Sequence, residues 1–164
     1  MLPVDLTPLS NGSHELVLRP SAEAVGLDPE AFADIEVHAR LDYHNYDVRH
    51  RRLLVRFDAA ATARLECDRT LVPYEERVEG EHTALFSATA DPEDDEVTLL
   101  GPDDHQVDLA EAVRETLLLS LPMRRVAPEA RDAALDTTFG ADTDDDGAPI
   151  DPRWDALRNL RNPN

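Results

Sequence analysis

The stretch "DIEVHARLDY", residues 34–43, decides the fold because apolar and polar side chains alternate along its whole length. Such a period of two is typical of a β-strand that turns one face to the core and the other to water. A second alternation follows the turn predicted at 44–47 and runs from Arg52 to Asp68. It is long for one strand, so we expect a bend at the small residues 59–61. Two long alternating strands joined by a short turn predict an antiparallel sheet.

Weaker strand signals flank this pair on both sides. Four further segments combine apolar alternation or a short apolar run with turn residues at their ends. They are residues 2–6, 14–20, 74–86 and 96–100. The strands are therefore expected to occupy residues 1–100.

Beyond these strands the pattern changes from period two to helical spacing, over residues 107–121. Asp108 is a suitable N-cap with Glu111 as its capping-box partner, and Pro122 ends the helix. The predicted fold class is α+β, a single domain over residues 1–125. In it a curved antiparallel β-sheet or partly closed barrel is covered by this one main helix.

The C-terminal part of the chain contains two different patterns. Residues 126–150 are rich in Ala, Asp, Pro and Thr and weakly periodic, which predicts a flexible acidic loop. Residues 151–160, "DPRWDALRNL", place Asp151 as N-cap and Pro152 at the first helical position, so we predict an amphipathic helix and tail over 151–164. So short a helix is marginal alone, and its apolar stripe needs a surface to cover, in this chain or in a partner. The stripe consists of Trp154, Leu157 and Leu160.

The charge balance of the chain is extreme. The sequence has 35 acids against 16 bases, all of them arginine, for a net charge of −19. One interpretation is an acidic tail or a nucleic-acid mimic, and the other is adaptation to high salt. The acids are scattered among apolar positions, so we favour adaptation to high salt, where dense counterions screen the self-repulsion. Net charge bears on solubility rather than on fold, so it says little about partners.

Two features of the sequence bear on where the protein resides. The first residues, "MLPVDLTPLSNG", lack the cationic and apolar regions of a signal peptide. The longest apolar run, residues 117–119, is far too short to span a bilayer. We therefore expect a soluble cytoplasmic protein with no membrane association.

Cys67 is the only cysteine, which excludes an internal disulfide and any zinc site built from two cysteines of one chain. Its place in the alternation puts it on the apolar face with Leu65. We therefore expect a buried thiol that packs as a small apolar group, with its pKa raised by burial.

The segment 142–147, "DTDDDG", matches the start of a calcium loop, but Arg153 stands where the bidentate glutamate is needed. No metal site is predicted.

Catalytic motifs are absent from the sequence. It contains no glycine-rich phosphate loop, no G-x-S-x-G and no H-E-x-x-H. Acidic pairs are abundant, but in so acidic a chain they do not indicate general acid–base chemistry. We therefore predict a non-enzymatic protein with no catalytic residue, no cofactor and no small-molecule substrate.

The scarce basic residues are more informative than the acids. The segment 48–56, "VRHRRLLVR", is the longest positive stretch and contains no acid. Such a stripe in an acidic protein is suited to phosphate contact, and the alternative is pairing with acids on the wet face of the sheet. Both interpretations stay open on the sequence alone. The candidate contact residues are Arg49, Arg51, Arg52 and Arg56, followed by Arg124 and Arg125.

Three stretches of the chain together resemble the YceD family, the large ribosomal RNA subunit accumulation proteins. They are "LECDRTLVPYEE" (65–76), "VDLAEAVRETLLLSLPMRRVAP" (107–128) and the ending "DPRWDALRNL" (151–160). The resemblance implies a role in the accumulation or processing of large-subunit ribosomal RNA and in ribosome assembly, with no known catalytic activity. Many members carry a second cysteine where Thr70 stands and further cysteines in the segment corresponding to 126–140, which here has none.

The leading hypothesis is therefore a binding factor whose partners are large-subunit ribosomal RNA or pre-ribosomal proteins. The rival hypothesis is a protein–protein interaction module with no RNA contact, in which the C-terminal helix docks into a groove of a partner. The docking candidates are Trp154, Leu157, Arg158 and Leu160.

Overall fold

A computed structural model describes residues 1–47, 49–89 and 97–131 of the chain. Most of the strands lie in one sheet, and a short ribbon and two helices complete the described part. A single 3₁₀ turn, Glu23–Val25, follows the second strand. The elements in chain order are β1 (Pro3–Asp5), β2 (Gly12–Leu18), β3 (Phe32–Asn45), β4 (Arg51–Glu66), β5 (Pro73–Ser87), β6 (Val97–Leu99), β7 (Gln106–Asp108), α1 (Ala110–Leu119) and α2 (Pro128–Arg131).

The main sheet has the strand order β2-β3-β4-β5-β6 and is antiparallel except between β5 and β6, which run parallel. The predicted α+β class is thus confirmed, and the sheet is antiparallel as predicted except for the parallel pair β5–β6. The order ends at two different strands, so the described strands do not close into a barrel, and the curvature of the sheet stays a prediction. The first strand, β1, does not join this sheet but pairs with β7.

The two alternating stretches form paired antiparallel strands, as predicted, and the structure places them inside the sheet rather than at its edges. Burial alternates along β3 and β4, and Val37, Leu41 and Val55 are completely buried on the inner face. The irregularity in their pairing lies on β3, where Asp34 and Ile35 together oppose Ala61. Asp34 has a φ of 51°, a backbone conformation that aspartate tolerates better than most residues. The bulge therefore lies across from the small residues at which the sequence predicts a bend.

Helix α1 begins later than predicted because residues 106–108 continue as a strand paired with β1. The N-cap is Leu109 rather than the predicted Asp108, whose carboxylate accepts N–H bonds from Ala110 at 3.0 Å and from Leu2 at 2.7 Å. Glu111 completes no capping box and lies instead 3.7 Å from the Arg114 guanidinium. The helix contacts β4, β5 and the 3₁₀ turn. Within the described part of the chain, no helix is long and apolar enough to cross a membrane.

Residues 126–131 differ from the flexible loop predicted to start there. Val126, Ala127 and Ala130 are buried and form a small second apolar cluster with Cys67. The rest of the predicted loop, residues 132–150, and the predicted C-terminal helix lie outside the described residues. So do all four docking candidates on that helix and the acidic hexamer 142–147, and these predictions stay untested.

Candidate nucleic-acid interface

The described part of the positive stretch, residues 49–56, lies in the turn between β3 and β4 and in the first residues of β4. We call this surface the basic tip, formed by His44, Tyr46, Arg49, His50 and Arg52. Arg49 and Arg52 are exposed, and no acid of the described residues lies within ion-pair distance of either guanidinium. Among the described residues, the two arginines of the tip therefore have no acidic partner.

The turn of the basic tip is shaped by Asp47. Its carboxylate accepts backbone N–H bonds from Arg49 at 2.8 Å and His50 at 2.9 Å, and the His50 ring nitrogen lies 2.8 Å from it. The hydrogen bond from the His50 ring, followed by that from the Arg49 backbone, lowers the pKa of Asp47 below its ordinary value. The carboxylate oxygens of ionised Asp47 thus accept hydrogen bonds within the turn rather than from the arginine side chains.

Aromatic rings and hydroxyls surround the two arginines. The His44 and Tyr46 rings lie nearly parallel, with 15° between their planes and 5.9 Å between their centroids. Strand pairing sets His44 beside Arg52, and Arg52 in turn beside Ser87 on β5. Together with Thr89 these residues line a shallow hollow of about 380 Å³.

Arg51, by contrast, points into the protein and is a structural residue rather than a contact candidate. Only 7% of its surface is exposed. Its Nε donates to the Tyr43 hydroxyl at 3.1 Å, one terminal nitrogen donates to the Gly101 carbonyl at 3.1 Å, and the other donates to the Asp104 carbonyl. The guanidinium carbon also lies 5.9 Å from the centroid of the Tyr43 ring. The prediction that Arg51 contacts RNA is therefore corrected. The alternation could have indicated its inward position, because Arg51 lies two residues before the inward-facing Leu53.

Arg56 follows the alternative of pairing with acids on the wet face. Its guanidinium lies 2.9 Å from the Asp42 carboxylate on the neighbouring strand. Arg64 faces Glu75 at 3.6 Å in a similar way across β4 and β5. Exposed pairs of this kind contribute little to stability, but they neutralise the arginines. The phosphate-contact interpretation therefore fits one end of the positive stretch and the ion-pair interpretation the other.

Arg124 and Arg125 are exposed but belong to a different part of the surface. The backbone of Arg125 is hydrogen-bonded to Asp68, just beyond the last residue of β4. Because β4 has 16 residues, its two ends are separated by up to roughly 50 Å. Arg124 lines a separate hollow of about 360 Å³ with Arg69 and Arg131. The structure thus does not bring the two groups of candidate arginines together.

Between these two ends, the outer face of the sheet carries acids. Asp58 and Glu81 lie directly opposite each other on β4 and β5, and Glu79 lies two residues away. Like charges in such positions repel each other and also repel phosphate. Phosphate is therefore disfavoured beside these three acids in the middle of the sheet.

Sequence reasoning missed His44 and Tyr46 as members of the site, because both fell in the predicted turn 44–47. One signal was available for His44. It continues the outward parity of His38, Arg40 and Asp42 on β3, so a longer strand would have set it beside Arg52. For Tyr46 the sequence held no comparable signal, since its exposure depends on the shape of the turn.

Cys67 is buried as predicted, but its thiol is more acidic than a buried apolar thiol should be. The Thr70 side chain hydrogen-bonds to its sulfur, and the Ala127 backbone N–H donates to it at 3.4 Å. These bonds outweigh desolvation and lower the thiol pKa from 9.0 to about 7, with the Thr70 bond the largest cause. The predicted rise in pKa is therefore wrong, because burial here supplies donors to the sulfur. In the described part of the chain no group of three or more His, Cys, Asp or Glu side chains is suited to hold a metal ion.

We expect the Cys67 thiol to titrate near pH 7 in the folded protein. The unfolded chain keeps its thiol proton up to about pH 9, so between these pH values the unfolded state binds more protons. Stability should accordingly rise with pH across this window, and the rise should be absent from Cys67→Ala. The thiolate absorbance in the ultraviolet reports the titration without ambiguity, since the chain has one cysteine. Thr70→Val should raise the apparent pKa, and a parent thiol that titrates at its ordinary value would contradict this assignment.

Comparison with known proteins places these features in a family. The family model described as "Large ribosomal RNA subunit accumulation protein YceD" matches residues 55–161. A curated relative, the uncharacterized protein YlbN of Bacillus subtilis strain 168, is 28% identical over 121 residues. That alignment covers 70% of this chain and 69% of the relative. No solved structure matches the chain.

The matched span begins in β4 and includes β5, α1 and α2. Arg49 and Arg52 lie just before it, so the evidence for the basic tip is its own geometry. Cys67, Thr70 and the helix that ends before Pro122, on which the resemblance depends, all lie within the span. The match confirms the resemblance, and the chain belongs to the YceD family of large ribosomal RNA subunit accumulation proteins.

Proposed function

We propose that this protein is a non-enzymatic factor in the accumulation of large-subunit ribosomal RNA and in ribosome assembly, and that it acts by binding RNA through the basic tip. The observation that carries the proposal is the contrast among the arginines. Arg56 and Arg64 are paired with acids across the sheet, whereas Arg49 and Arg52 project from the tip with no acid of the described residues paired to them. Unpaired arginines at the edge of an acidic surface are suited to phosphate contact.

The charge distribution also predicts how such binding behaves. With a net charge of −19 the molecule as a whole repels RNA, so contact has to be local. Each phosphate neutralised by an arginine releases counterions and makes the affinity dependent on salt. Two arginines therefore predict a modest affinity and a shallow dependence on salt concentration.

Removing the two arginines together tests the proposal. We expect Arg49→Ala/Arg52→Ala to weaken binding to a large-subunit ribosomal RNA transcript by about tenfold or more at low salt. The slope of log affinity against log salt should fall in magnitude by about 1.4, as expected for two lost contacts to a single strand. Binding is measured by fluorescence anisotropy over a salt series, with circular dichroism at each salt concentration to verify that the protein is folded.

Arg64→Ala/Arg77→Ala is the matched control. It removes the same charge from two exposed arginines of the sheet, so it separates a local contact from a change in net charge. The Arg64 guanidinium faces Glu75, and that of Arg77 donates to the Asp34 carbonyl at 3.3 Å, so neither is offered to phosphate. Equal binding and equal salt slopes for the two double variants would defeat the proposal.

Arg124 and Arg125 are secondary candidates for RNA contact. Their separation from the basic tip means that one short RNA segment does not reach both groups. Arg124→Ala/Arg125→Ala should therefore affect long transcripts and leave the binding of short oligonucleotides unchanged.

Incubation of the purified protein with precursor ribosomal RNA tests the non-enzymatic part, and we expect the RNA to stay intact.

A further inference from the structure

The exposed aromatic ring of Tyr46 is unusual in this molecule. Aromatic residues make up 5% of the sequence, and those of the described residues are otherwise used in packing. Tyr46 is 72% exposed, whereas Tyr43, Phe57 and Phe86 are buried. Its ring is neither covered by the core nor required by it.

The position of this ring is better explained by a ligand with a flat apolar face. The His44 ring supports Tyr46 from one side at a centroid distance of 5.9 Å, and a hydrogen-bonding distance of 3.4 Å joins the Tyr46 hydroxyl to the His44 ring nitrogen. The two rings therefore form a small platform rather than a freely rotating side chain. Nucleobases stack on such aromatic platforms irrespective of their sequence.

The charged residues of the tip are arranged to hold the rest of a nucleotide. Arg52 lies beside His44 across the β3–β4 pair, where neighbouring strands are about 4.8 Å apart. Arg49 lines the same hollow, and the hydroxyls of Ser87 and Thr89 line its far side. A base stacked on Tyr46 would lie in the same hollow as the two arginines, which is also lined by the Ser87 and Thr89 hydroxyls, 3.4 Å from each other.

We propose that the basic tip binds an unpaired nucleotide of RNA, whose base stacks on Tyr46 and whose phosphate contacts Arg49 and Arg52. This inference rests on the proposed function and makes it more specific. A continuous A-form duplex keeps its bases stacked on one another and offers only backbone and groove edges. The ligand is therefore a loop, a bulge or a single-stranded end.

The test compares a short single-stranded oligoribonucleotide with a duplex that contains the same strand. We expect the parent protein to prefer the single strand. Tyr46→Ala should weaken single-strand binding by about fivefold or more, which is the lower range for one lost base stack. Tyr46→Phe should retain the affinity, and the salt slope of Tyr46→Ala should equal that of the parent, because no phosphate contact is lost.

A second measurement follows the stack directly. Tyr46→Trp introduces an indole whose fluorescence we expect the single strand to quench and the duplex to leave unchanged. The Tyr46→Phe protein supplies the background from Trp154, the natural tryptophan. Because Tyr46 is exposed, its variants should unfold at the same denaturant concentration as the parent.

The outcomes separate this inference from the proposed function. If Tyr46→Ala binds the single strand as tightly as the parent while Arg49→Ala/Arg52→Ala does not, the stacking site is refuted and the phosphate site stands. If the parent binds the duplex as tightly as the single strand, the inference is likewise overturned. If the parent binds neither RNA at any salt concentration at which it is folded, both proposals fail.

Discussion

Arg51→Ala is expected to lower the free energy of unfolding by about 3 kcal/mol, although a glance at the sequence places Arg51 in a row of surface arginines. Its guanidinium donates to carbonyls of the segment 101–104 and to the Tyr43 hydroxyl. Truncation removes the donor to the buried Tyr43 hydroxyl and to the partly buried Gly101 and Asp104 carbonyls, and hydrogen bonds lost at such sites are costly. The loss of the packed side chain adds to the effect, because Arg51 lies 7% exposed among core residues.

Arg52→Ala is the control for this prediction, because it removes the same charge one residue away from an exposed position. It should change stability by less than about 0.5 kcal/mol. Urea at constant salt is the suitable denaturant, since guanidinium chloride would itself screen the charges of so acidic a protein. A loss of stability no larger in Arg51→Ala than in Arg52→Ala would show that the carbonyl contacts are unimportant.

The same contacts determine how RNA-binding variants should be designed. In a triple Arg49/Arg51/Arg52→Ala protein, a loss of binding would not by itself indicate RNA contact, because the Arg51 change alone is expected to destabilise the fold. Only variants of Arg49 and Arg52 separate contact from folding. The proposed function is therefore tested with Arg51 intact.

Gly80→Ala is the second substitution with a large expected effect. A Cβ atom at Gly80 would lie closest to the Ser120 hydroxyl oxygen, then 2.8 Å from a Thr116 methyl group and 3.3 Å from the Thr116 carbonyl. Both neighbours are held in place, since the Ser120 hydroxyl donates to the Thr116 carbonyl and the Thr116 hydroxyl to the Ala112 carbonyl, each at 2.7 Å. The added methyl group therefore pushes the C-terminal end of α1 away from β5, at a cost of about 1–3 kcal/mol.

The sign of this effect makes the experiment decisive. At a strand position with open space, replacing glycine by alanine stabilises a protein by about 0.4–1 kcal/mol. Ser120→Ala in the Gly80→Ala background removes the closest contact and should recover part of the loss, which a double-mutant cycle in urea measures as a coupling energy. A stabilised Gly80→Ala protein, or one without coupling to Ser120, would mean that α1 does not approach β5 so closely.

The central strands and the position of Cys67 were predictable because they depend on local alternation. Side chains alternate along any strand, so the inward parity of Val37 and Val55 could be read from neighbouring residues alone. Pairing between distant segments was not predictable in this way. The start of α1 was misplaced because Gln106–Asp108 has a partner, β1, near the other end of the described chain. The parallel pairing of β6 with β5 was equally unpredictable, because it depends on the path of the chain between the two strands.

The candidate site likewise combines features that the local sequence predicted with features that depend on distant residues. By itself the sequence determined that arginines gather in residues 48–56. Strand parity could also have separated Arg51 from Arg52, although both were predicted as contact residues. Only the tertiary structure decided what each arginine meets, because charge is neutralised by whatever lies nearby in space. Asp42, 14 residues from Arg56, neutralises that arginine, and a carbonyl 50 residues away holds Arg51. The acidity of Cys67 depends in the same way on an N–H group 60 residues distant. Among the described residues Arg49 and Arg52, beside the Tyr46 ring, have no acidic partner. Which arginines stay unpaired there is set by these long-range contacts and not by the order of residues along the chain.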